Sequence, residues 1–175
     1  GADRVKGGTF NALIVDFYRS DAWADLREAT KRAYRGEIER FRAAHGVAPV
    51  SDLQAKHIKA MMQEKQATPA AANNLLRILR VLMKFAVSEG WRQDNPAVAV
   101  EKRRYRSEGF HPWTEDEIAR FETRWPPGTT QRLAFDLLLY TGQRSGDVRS
   151  MSVNQVRDGF IRVRQEKTGA LVEIP

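Results

Sequence analysis

Two short stretches late in the chain carry residues whose types suit chemistry on a phosphate group. Residues 140–148 read Tyr-Thr-Gly-Gln-Arg-Ser-Gly-Asp-Val and place Arg144 three positions before Asp147. Residues 165–169 read Gln-Glu-Lys-Thr-Gly and supply Lys167. A guanidinium can bind two phosphate oxygens while staying charged, and a lysine ammonium can donate a proton to a leaving oxygen. The chemistry depends on whether the fold brings the two cations together.

The pattern around Arg144 predicts a corner between two helices. Residues 133–140 form an apolar helix, and Gly142 can take the left-handed conformation that ends a helix. Ser145 is expected to cap a second helix whose first turn holds Asp147. Arg144 would then stand beside free backbone N–H groups at the positive end of a helix dipole, a place for a phosphate. The alternative is an ordinary corner with a surface arginine.

The residues that follow favour a β-hairpin. Residues 160–164 and 171–174 alternate in polarity or are β-branched, as strands do. Lys-Thr-Gly-Ala, residues 167–170, then reads as the tip of the hairpin. Lys167 would therefore lie on a β-turn that comes after the helical corner in the chain.

This order of elements resembles the catalytic domain of tyrosine recombinases of the phage integrase family. In that family a helix ends in Thr-Gly-x-Arg, an acidic residue follows three positions on, and a hairpin with a Lys-Thr-Gly-like tip comes next. The resemblance matches Arg144 to the first catalytic arginine, Asp147 to the acidic position and Lys167 to the hairpin lysine. It also covers the preceding region, from about Thr9 to Pro96.

The rest of the chain is predicted to be mainly α-helical. Apolar periodicity predicts helices over about 10–18, 30–44, 53–65, 69–89 and 114–124. Capping boxes are expected at Ser51 with Gln54 and at Thr114 with Glu117. In the resemblance, residues 1–100 form an N-terminal helical bundle, the SAM-like core-binding domain. Residues 101–112 are a basic linker, and residues 113–175 are the first part of an incomplete α+β catalytic domain that ends in the hairpin.

Basic residues are concentrated in the first part of the chain. Residues 1–106 hold 20 Lys and Arg against 12 Asp and Glu, a net charge of +8, whereas residues 107–175 hold 9 against 10, a net charge of −1. Lysines and arginines that displace condensed counterions supply much of the affinity for nucleic acids. The first part is therefore the candidate for contact with double-stranded DNA. An anionic membrane or an acidic protein would respond to the same field.

The resemblance implies that the second helix, the first half of the long fourth helix and the linker reach DNA. Asparagine suits adenine edges, and arginine suits guanine or phosphate. The expected DNA contacts are Lys31, Arg32, Arg35, Asn73, Asn74, Arg77, Lys102, Arg103 and Arg104. A solvated helix face and a solubilising loop are the alternatives for the basic groups.

The resemblance further implies phosphoryl transfer without a metal or another cofactor. A tyrosine hydroxyl attacks the phosphodiester and leaves a 3′-phosphotyrosyl bond and a free 5′-hydroxyl. Arg144 would stabilise charge in the transition state, and Lys167 would protonate the 5′-oxygen. Asp147 would orient Arg144 or neutralise a helix N-terminus. None of the three histidines has metal-ligand spacing to another, so no metal site is expected.

The family's His-x-x-Arg motif and its nucleophilic tyrosine are expected after the sheet, and the sequence ends at Pro175. The resemblance does not match Tyr18, Tyr34, Tyr105 or Tyr140 to that nucleophile. We therefore expect a DNA-binding fragment of a recombinase that is inactive alone and whose full-length parent forms a tetramer in a synaptic complex. A non-catalytic helical DNA-binding regulator and a helical protein-interaction module are the alternatives.

The composition also bears on where the protein works. The sequence has no cysteine, which excludes disulfides and thiolate metal sites. It has no run of about 18 apolar residues and no apolar signal region near the N-terminus. We therefore expect a protein of the bacterial cytoplasm that acts on DNA and has no membrane partner.

Overall fold

The computed structural model describes residues 7–106 and 109–175. The chain divides into two compact units, Gly1–Ser107 and Glu108–Pro175. The first unit thus extends beyond residue 100 and includes residues 101–106, which were expected to belong to a linker. None of the helices in the described ranges combines the length and apolar character needed to cross a membrane.

The first unit is a bundle of helices. Its α-helices are α1 Phe10–Arg19, α2 Asp21–Ala24, α3 Glu28–His45, α4 Ala55–Glu64 and α5 Pro69–Ser88. Helix α5 is its centre and packs against α1, α3 and α4. The apolar stripe of α5 is fully enclosed, because Leu76, Ile78, Leu79 and Leu82 have no exposed surface. The predicted helical bundle is confirmed.

The start of α4 differs from the sequence expectation. Residues Val50–Asp52 form a 3-10 turn, and the N-cap of α4 is Gln54 rather than Ser51. The Gln54 backbone N–H donates to Nδ1 of His57 at 3.2 Å. The Ser51 hydroxyl instead donates to the Asp52 carboxylate at 2.9 Å. The predicted box of Ser51 with Gln54 is therefore wrong, because residues 50–52 complete a separate turn before the helix begins.

The second unit begins with two helices, α6 Glu115–Arg124 and α7 Thr130–Thr141. The capping box at the start of α6 is confirmed, since the Glu117 backbone N–H donates to Thr114 Oγ1 at 3.3 Å. The Thr114 backbone N–H donates to Glu117 Oε2 at 2.8 Å. The aromatic rings of Trp113, Phe121 and Phe135 pack together, with centroids 4.8 to 5.7 Å apart.

A short helix and a three-stranded antiparallel sheet complete the second unit. The helix is α8 Ser145–Arg149, and the strands are β1 Val156–Arg157, β2 Phe160–Arg164 and β3 Leu171–Ile174, in the order β1-β2-β3. Strands β2 and β3 are the predicted hairpin, with Val163 opposite Val172. Strand β1 was not predicted. It pairs with β2 across an Asp158-Gly159 turn in which both residues have positive φ, a two-residue loop typical of hairpins.

Candidate active site and nucleic-acid interface

The turn between α7 and α8, residues 142–144, is called the corner below. Helix α7 ends at Gly142, whose φ of 61° and ψ of 15° are left-handed as predicted. A side chain other than hydrogen is strained in that conformation. The predicted cap by Ser145 is wrong, because Arg144 has the extended φ and ψ of an N-cap and Ser145 is already the first helical residue. Helix α8 has only five residues, so its dipole cannot by itself define a phosphate site.

Asp147 joins the corner to the loop between β2 and β3. That loop, residues 165–170, is called the tip loop. Asp147 is 2% exposed, and its Oδ1 accepts a hydrogen bond from the Glu166 backbone N–H at 2.8 Å. Its Oδ2 lies 3.9 Å from Nη1 of Arg144. The bond to Glu166 ties Asp147 to the tip loop, while Oδ2, which has no hydrogen-bond partner among the described residues, is close enough to the Arg144 guanidinium for electrostatic attraction.

Gln165 makes a second connection between the same two segments. Its amide nitrogen donates to Gln143 Oε1 at 2.8 Å. Its amide oxygen accepts from the Thr168 hydroxyl at 2.8 Å and from Arg144 Nη1 at 3.4 Å. The sequence reasoning missed this pair of glutamines. The available signal was their position, because each lies within two residues of a cation singled out for its chemistry.

Lys167 therefore lies on a loop that Gln165 bonds to Gln143 of the corner and Glu166 bonds to Asp147 of α8, with a further bond inside the loop after it. Glu166 precedes it and bonds to Asp147, while Thr168 follows it and bonds to Gln165. Lys167 is exposed, and the Arg144 side chain is half exposed. These bonds thus bring the corner and the tip loop together within the second unit, and both Arg144 and Lys167 are exposed to solvent there.

The basic face of α3 is partly held by its neighbours. Lys31 forms an ion pair with Glu28 at 3.0 Å, whereas Arg32 is exposed. The guanidinium of Arg35 lies 5.7 Å from the centroid of the Tyr18 ring and 5.5 Å from that of Trp23. Such cation–π contacts orient an arginine and leave its N–H groups open to further acceptors.

Tyr18 itself is committed to the bundle. Its hydroxyl donates to Glu39 Oε1 at 2.9 Å. Burial, together with this bond to a carboxylate, raises the pKa of Tyr18 well above its ordinary value. The phenol therefore stays protonated and is poorly suited to act as a nucleophile.

Of the expected DNA contacts on α5 and in residues 101–106, some are exposed and others are bonded within the protein. Asn74 and Arg77 are exposed, and the Arg77 guanidinium lies 5.3 Å from the Tyr34 ring centroid. Asn73 was expected to contact DNA, yet both ends of its amide bond the backbone of Arg103. The Arg103 side chain donates to Gln63 Oε1 at 2.6 Å.

Lys102 and Arg104 are exposed on either side of Arg103. Residues 101–106 have no regular secondary structure. Within residues 7–106 and 109–175, no three His, Cys, Asp or Glu side chains form a group that could hold a metal ion.

Comparison with known proteins finds similarity to phage integrases. No protein-family model matches the chain. It is 28% identical over 178 residues to the integrase of Escherichia phage HK022, an alignment that covers 99% of this chain and 50% of that protein. The fold superposes with a TM-score of 0.84 and 26% identity on a lambda integrase dimer bound to a COC′ core site, covering 95% of this chain and 48% of that one.

A lambda integrase tetramer bound to a Holliday junction superposes equally well, with a TM-score of 0.84, 26% identity, and coverage of 95% of this chain and 50% of that one. The chain thus spans about half the length of the relatives it matches. Because the superposition covers 95% of this chain, it includes residues of both units. The chain is therefore similar, over 95 to 99% of its own length, to phage integrases.

Proposed function

We propose that this chain is the DNA-binding segment, with part of the active site, of a site-specific recombinase that cleaves and rejoins DNA through a 3′-phosphotyrosyl intermediate. The observation that carries the proposal is the joining of the Arg144 corner to the loop bearing Lys167 by Asp147 and Gln165. Two accessible cations on one side of a small unit suit a phosphodiester whose charge increases in the transition state.

Double-stranded DNA is the proposed partner, and a tetramer is the proposed assembly of the whole recombinase. A lambda integrase dimer is bound to a core site and a lambda integrase tetramer to a Holliday junction, which supports both proposals. The excess of positive charge in residues 1–106 supports the first. The proposed direct contacts are basic and amide groups of α3, α5 and residues 101–106, namely Lys31, Arg32, Arg35, Asn74, Arg77, Lys102 and Arg104.

Each residue of the candidate active site has a separate role in this mechanism. Arg144 binds a non-bridging oxygen of the scissile phosphate and stabilises the charge that forms there. Lys167 donates a proton to the 5′-oxygen as its bond to phosphorus breaks. Asp147 positions the guanidinium and the tip loop. The resulting phosphotyrosyl bond keeps the energy of the phosphodiester, so rejoining needs no nucleotide cofactor.

None of the four tyrosines in this chain is assigned as the nucleophile. Tyr18 is held protonated by burial and by Glu39, and Tyr34 is covered by Arg77. Tyr105 and Tyr140 are exposed, and the resemblance matches neither of them to the nucleophile. We therefore expect the 175-residue chain to bind duplex DNA in a salt-dependent manner without forming a covalent adduct.

The test is a suicide substrate with a nick near the cleavage site, used with the whole recombinase that contains this segment. Arg144→Ala should lower the yield of covalent adduct by roughly 100- to 1,000-fold, the usual loss when one oxyanion-stabilising group is removed. Arg149→Ala, which removes an exposed arginine at the opposite end of α8, is the matched control and should leave the yield unchanged. An equal loss for both variants would contradict the role of Arg144.

The role of Lys167 requires its own substrate. Lys167→Ala should slow cleavage when the leaving atom is the 5′-oxygen. It should have little effect when sulfur replaces that oxygen, because a thiolate leaves without being protonated. If sulfur fails to rescue the variant, Lys167 is not the general acid. If the whole protein binds duplex DNA and never forms an adduct, the non-catalytic regulator becomes the better assignment.

A further inference from the structure

Residues 95–103, called the return segment, are fixed to the surface of α5. Ala97 and Val100 are buried in the core of the first unit. Arg80 of α5 donates from Nε to the Ala97 carbonyl at 3.1 Å and from Nη2 to the Val100 carbonyl at 2.6 Å. The Asn95 amide donates to the Arg80 carbonyl at 3.2 Å. The return segment is therefore a docked part of the bundle.

Asn73 fixes the far end of this segment. Its Nδ2 donates to the Arg103 carbonyl at 2.9 Å, and its Oδ1 accepts from the Arg103 backbone N–H at 2.8 Å. Asn73 lies seven residues before Arg80, about 10 Å away along a helix that rises 1.5 Å per residue. The return segment thus runs antiparallel to α5, toward its N-terminal half. The two bonds to one residue set where along α5 the chain leaves the bundle.

The two bonds between Asn73 and the Arg103 backbone are called the anchor, and the side chains around it differ in their contacts. The Arg103 side chain is turned to Gln63 of α4, while its neighbours Lys102 and Arg104 are exposed. Asn74, next to the anchor on α5, is also exposed. Exposed cations beside an exposed amide form a surface suited to a phosphate backbone with a base edge nearby.

We propose that Asn73 is a positioning residue for DNA binding: it docks Arg103 on α5 and thereby presents Lys102 and Arg104 to the phosphate backbone. This inference rests on the proposed DNA-binding function. It replaces the direct base contact expected of Asn73, because an amide with both ends bonded to Arg103 has lost its pattern for reading adenine. Without the anchor, the two cations lose their fixed place and bind with a larger entropy cost.

The anchor itself is tested by amide hydrogen exchange in the 175-residue chain without DNA. Asn73→Ala should speed exchange of the Arg103 N–H to the rate of an unprotected amide. Asn74→Ala, the neighbouring matched control, should leave that rate unchanged. Alanine favours a helix more than asparagine does, and continued protection of the Leu82 amide shows that the bundle is intact. An unchanged Arg103 rate in Asn73→Ala would overturn the proposal.

The role in binding is tested by a double-mutant cycle on duplex affinity. Lys102→Gln with Arg104→Gln should reduce the slope of log K against log salt by about 1.8, because each lost phosphate contact removes about 0.9. Asn73→Ala should weaken binding in the wild-type chain and have little further effect in that double variant. Asn74→Ala should weaken binding by the same factor in both backgrounds, as independent contacts do.

The outcomes separate the inference from the function beneath it. If the effect of Asn73→Ala adds fully to that of the double variant, Asn73 contacts DNA directly and the positioning role is overturned. If the wild-type chain shows no salt-dependent binding to duplex DNA, the proposed function fails, and the role of the anchor in binding fails with it. The exchange rate of Arg103 still decides whether Asn73 holds the return segment.

Discussion

The two units bury their apolar side chains to very different extents. Helix α5 alone buries nine residues in the first unit, whereas neither α6 nor α7 buries any in the second. Among the described residues of the second unit, the buried apolar side chains are Val148 and Val163. The first unit therefore derives its stability from a core, while the candidate active site relies on a few polar bonds between the corner and the tip loop.

The second unit also leaves large apolar side chains exposed on its surface. An open apolar groove of about 670 Å³ lies between α6 and α7. Trp113 is 52% exposed, and Leu138 and Leu139 are 41% and 46% exposed. Apolar area removed from water stabilises a fold by about 25 cal/mol per Å². Because these side chains are only partly buried, they contribute only part of the stabilisation that full burial would give. Substitutions on α5 and α7 should therefore have unequal effects.

The largest difference is expected between Leu82→Ala on α5 and Leu138→Ala on α7. Leu82 has no exposed surface, and truncating such a leucine leaves a cavity, at a cost of about 2 to 5 kcal/mol in the free energy of unfolding. Leu138 is 41% exposed, so its truncation should cost less than about 1 kcal/mol. Urea unfolding followed by residue-resolved NMR measures each unit separately. Equal losses would show that α7 is packed as tightly as α5.

A smaller effect is expected at the polar connection of the active site. Asp147→Ala removes the acceptor for the Glu166 backbone N–H and leaves that donor unsatisfied, at a cost of about 1 to 3 kcal/mol. Exchange at the Glu166 amide should accelerate, while exchange in α5 stays slow. The measurement is hydrogen exchange at single-residue resolution.

The matched variant is Asp147→Asn, whose amide oxygen can still accept from Glu166. It should preserve the slow exchange at Glu166 and lose only the attraction to Arg144, 3.9 Å away. Asp116→Ala, which removes an exposed carboxylate of α6, should leave exchange unchanged at the Glu166 amide and in α5. Slow exchange at Glu166 in Asp147→Ala would mean that Gln165 alone holds the tip loop.

The sequence predicted the features that depend on neighbouring residues. The left-handed Gly142, the Thr114 and Glu117 capping box, and the hairpin of β2 and β3 each follow from a few consecutive positions. The Ser145 cap failed because residue type was the only guide, while the extended conformation belongs to Arg144.

The contacts between distant segments could not be predicted in the same way. Asn73 bonds Arg103, 30 residues away, and Gln143 bonds Gln165, 22 residues away. From sequence alone, Asn73 was interpreted as a base contact, whereas in the structure its amide bonds the backbone of Arg103. No spacing rule relates such pairs, since their approach depends on how the helices and the sheet pack. The residue types suited to phosphate chemistry could therefore be chosen from the sequence, whereas the bonds of Asn73 to Arg103 and of Gln143 to Gln165 could not.

The smallest effect is expected at the start of α6, where pH acts on the partly exposed side chain of Glu117. The Thr114 backbone N–H, and then His111, whose Nε2 is 2.9 Å from Glu117 Oε2, lower the pKa of Glu117 from 4.5 to about 2. Because the pKa of Glu117 is lower in the folded state, the ionised carboxylate stabilises the start of α6 above pH 4.5. That stabilisation is lost as the pH falls toward 2. NMR titration of the Glu117 carboxyl, with exchange of the α6 amides, measures the change.

Glu117→Gln is the control for this titration, because glutamine can complete a capping box without ionising. Its α6 amides should exchange at rates that do not change between pH 4.5 and 2, apart from the intrinsic pH dependence of exchange. Amides of α5 should behave alike in both proteins, since the core of the first unit does not depend on this carboxylate. A Glu117 carboxyl that titrates near 4.5 would mean that the box adds nothing to α6, leaving the ring cluster of Trp113, Phe121 and Phe135 to hold that helix.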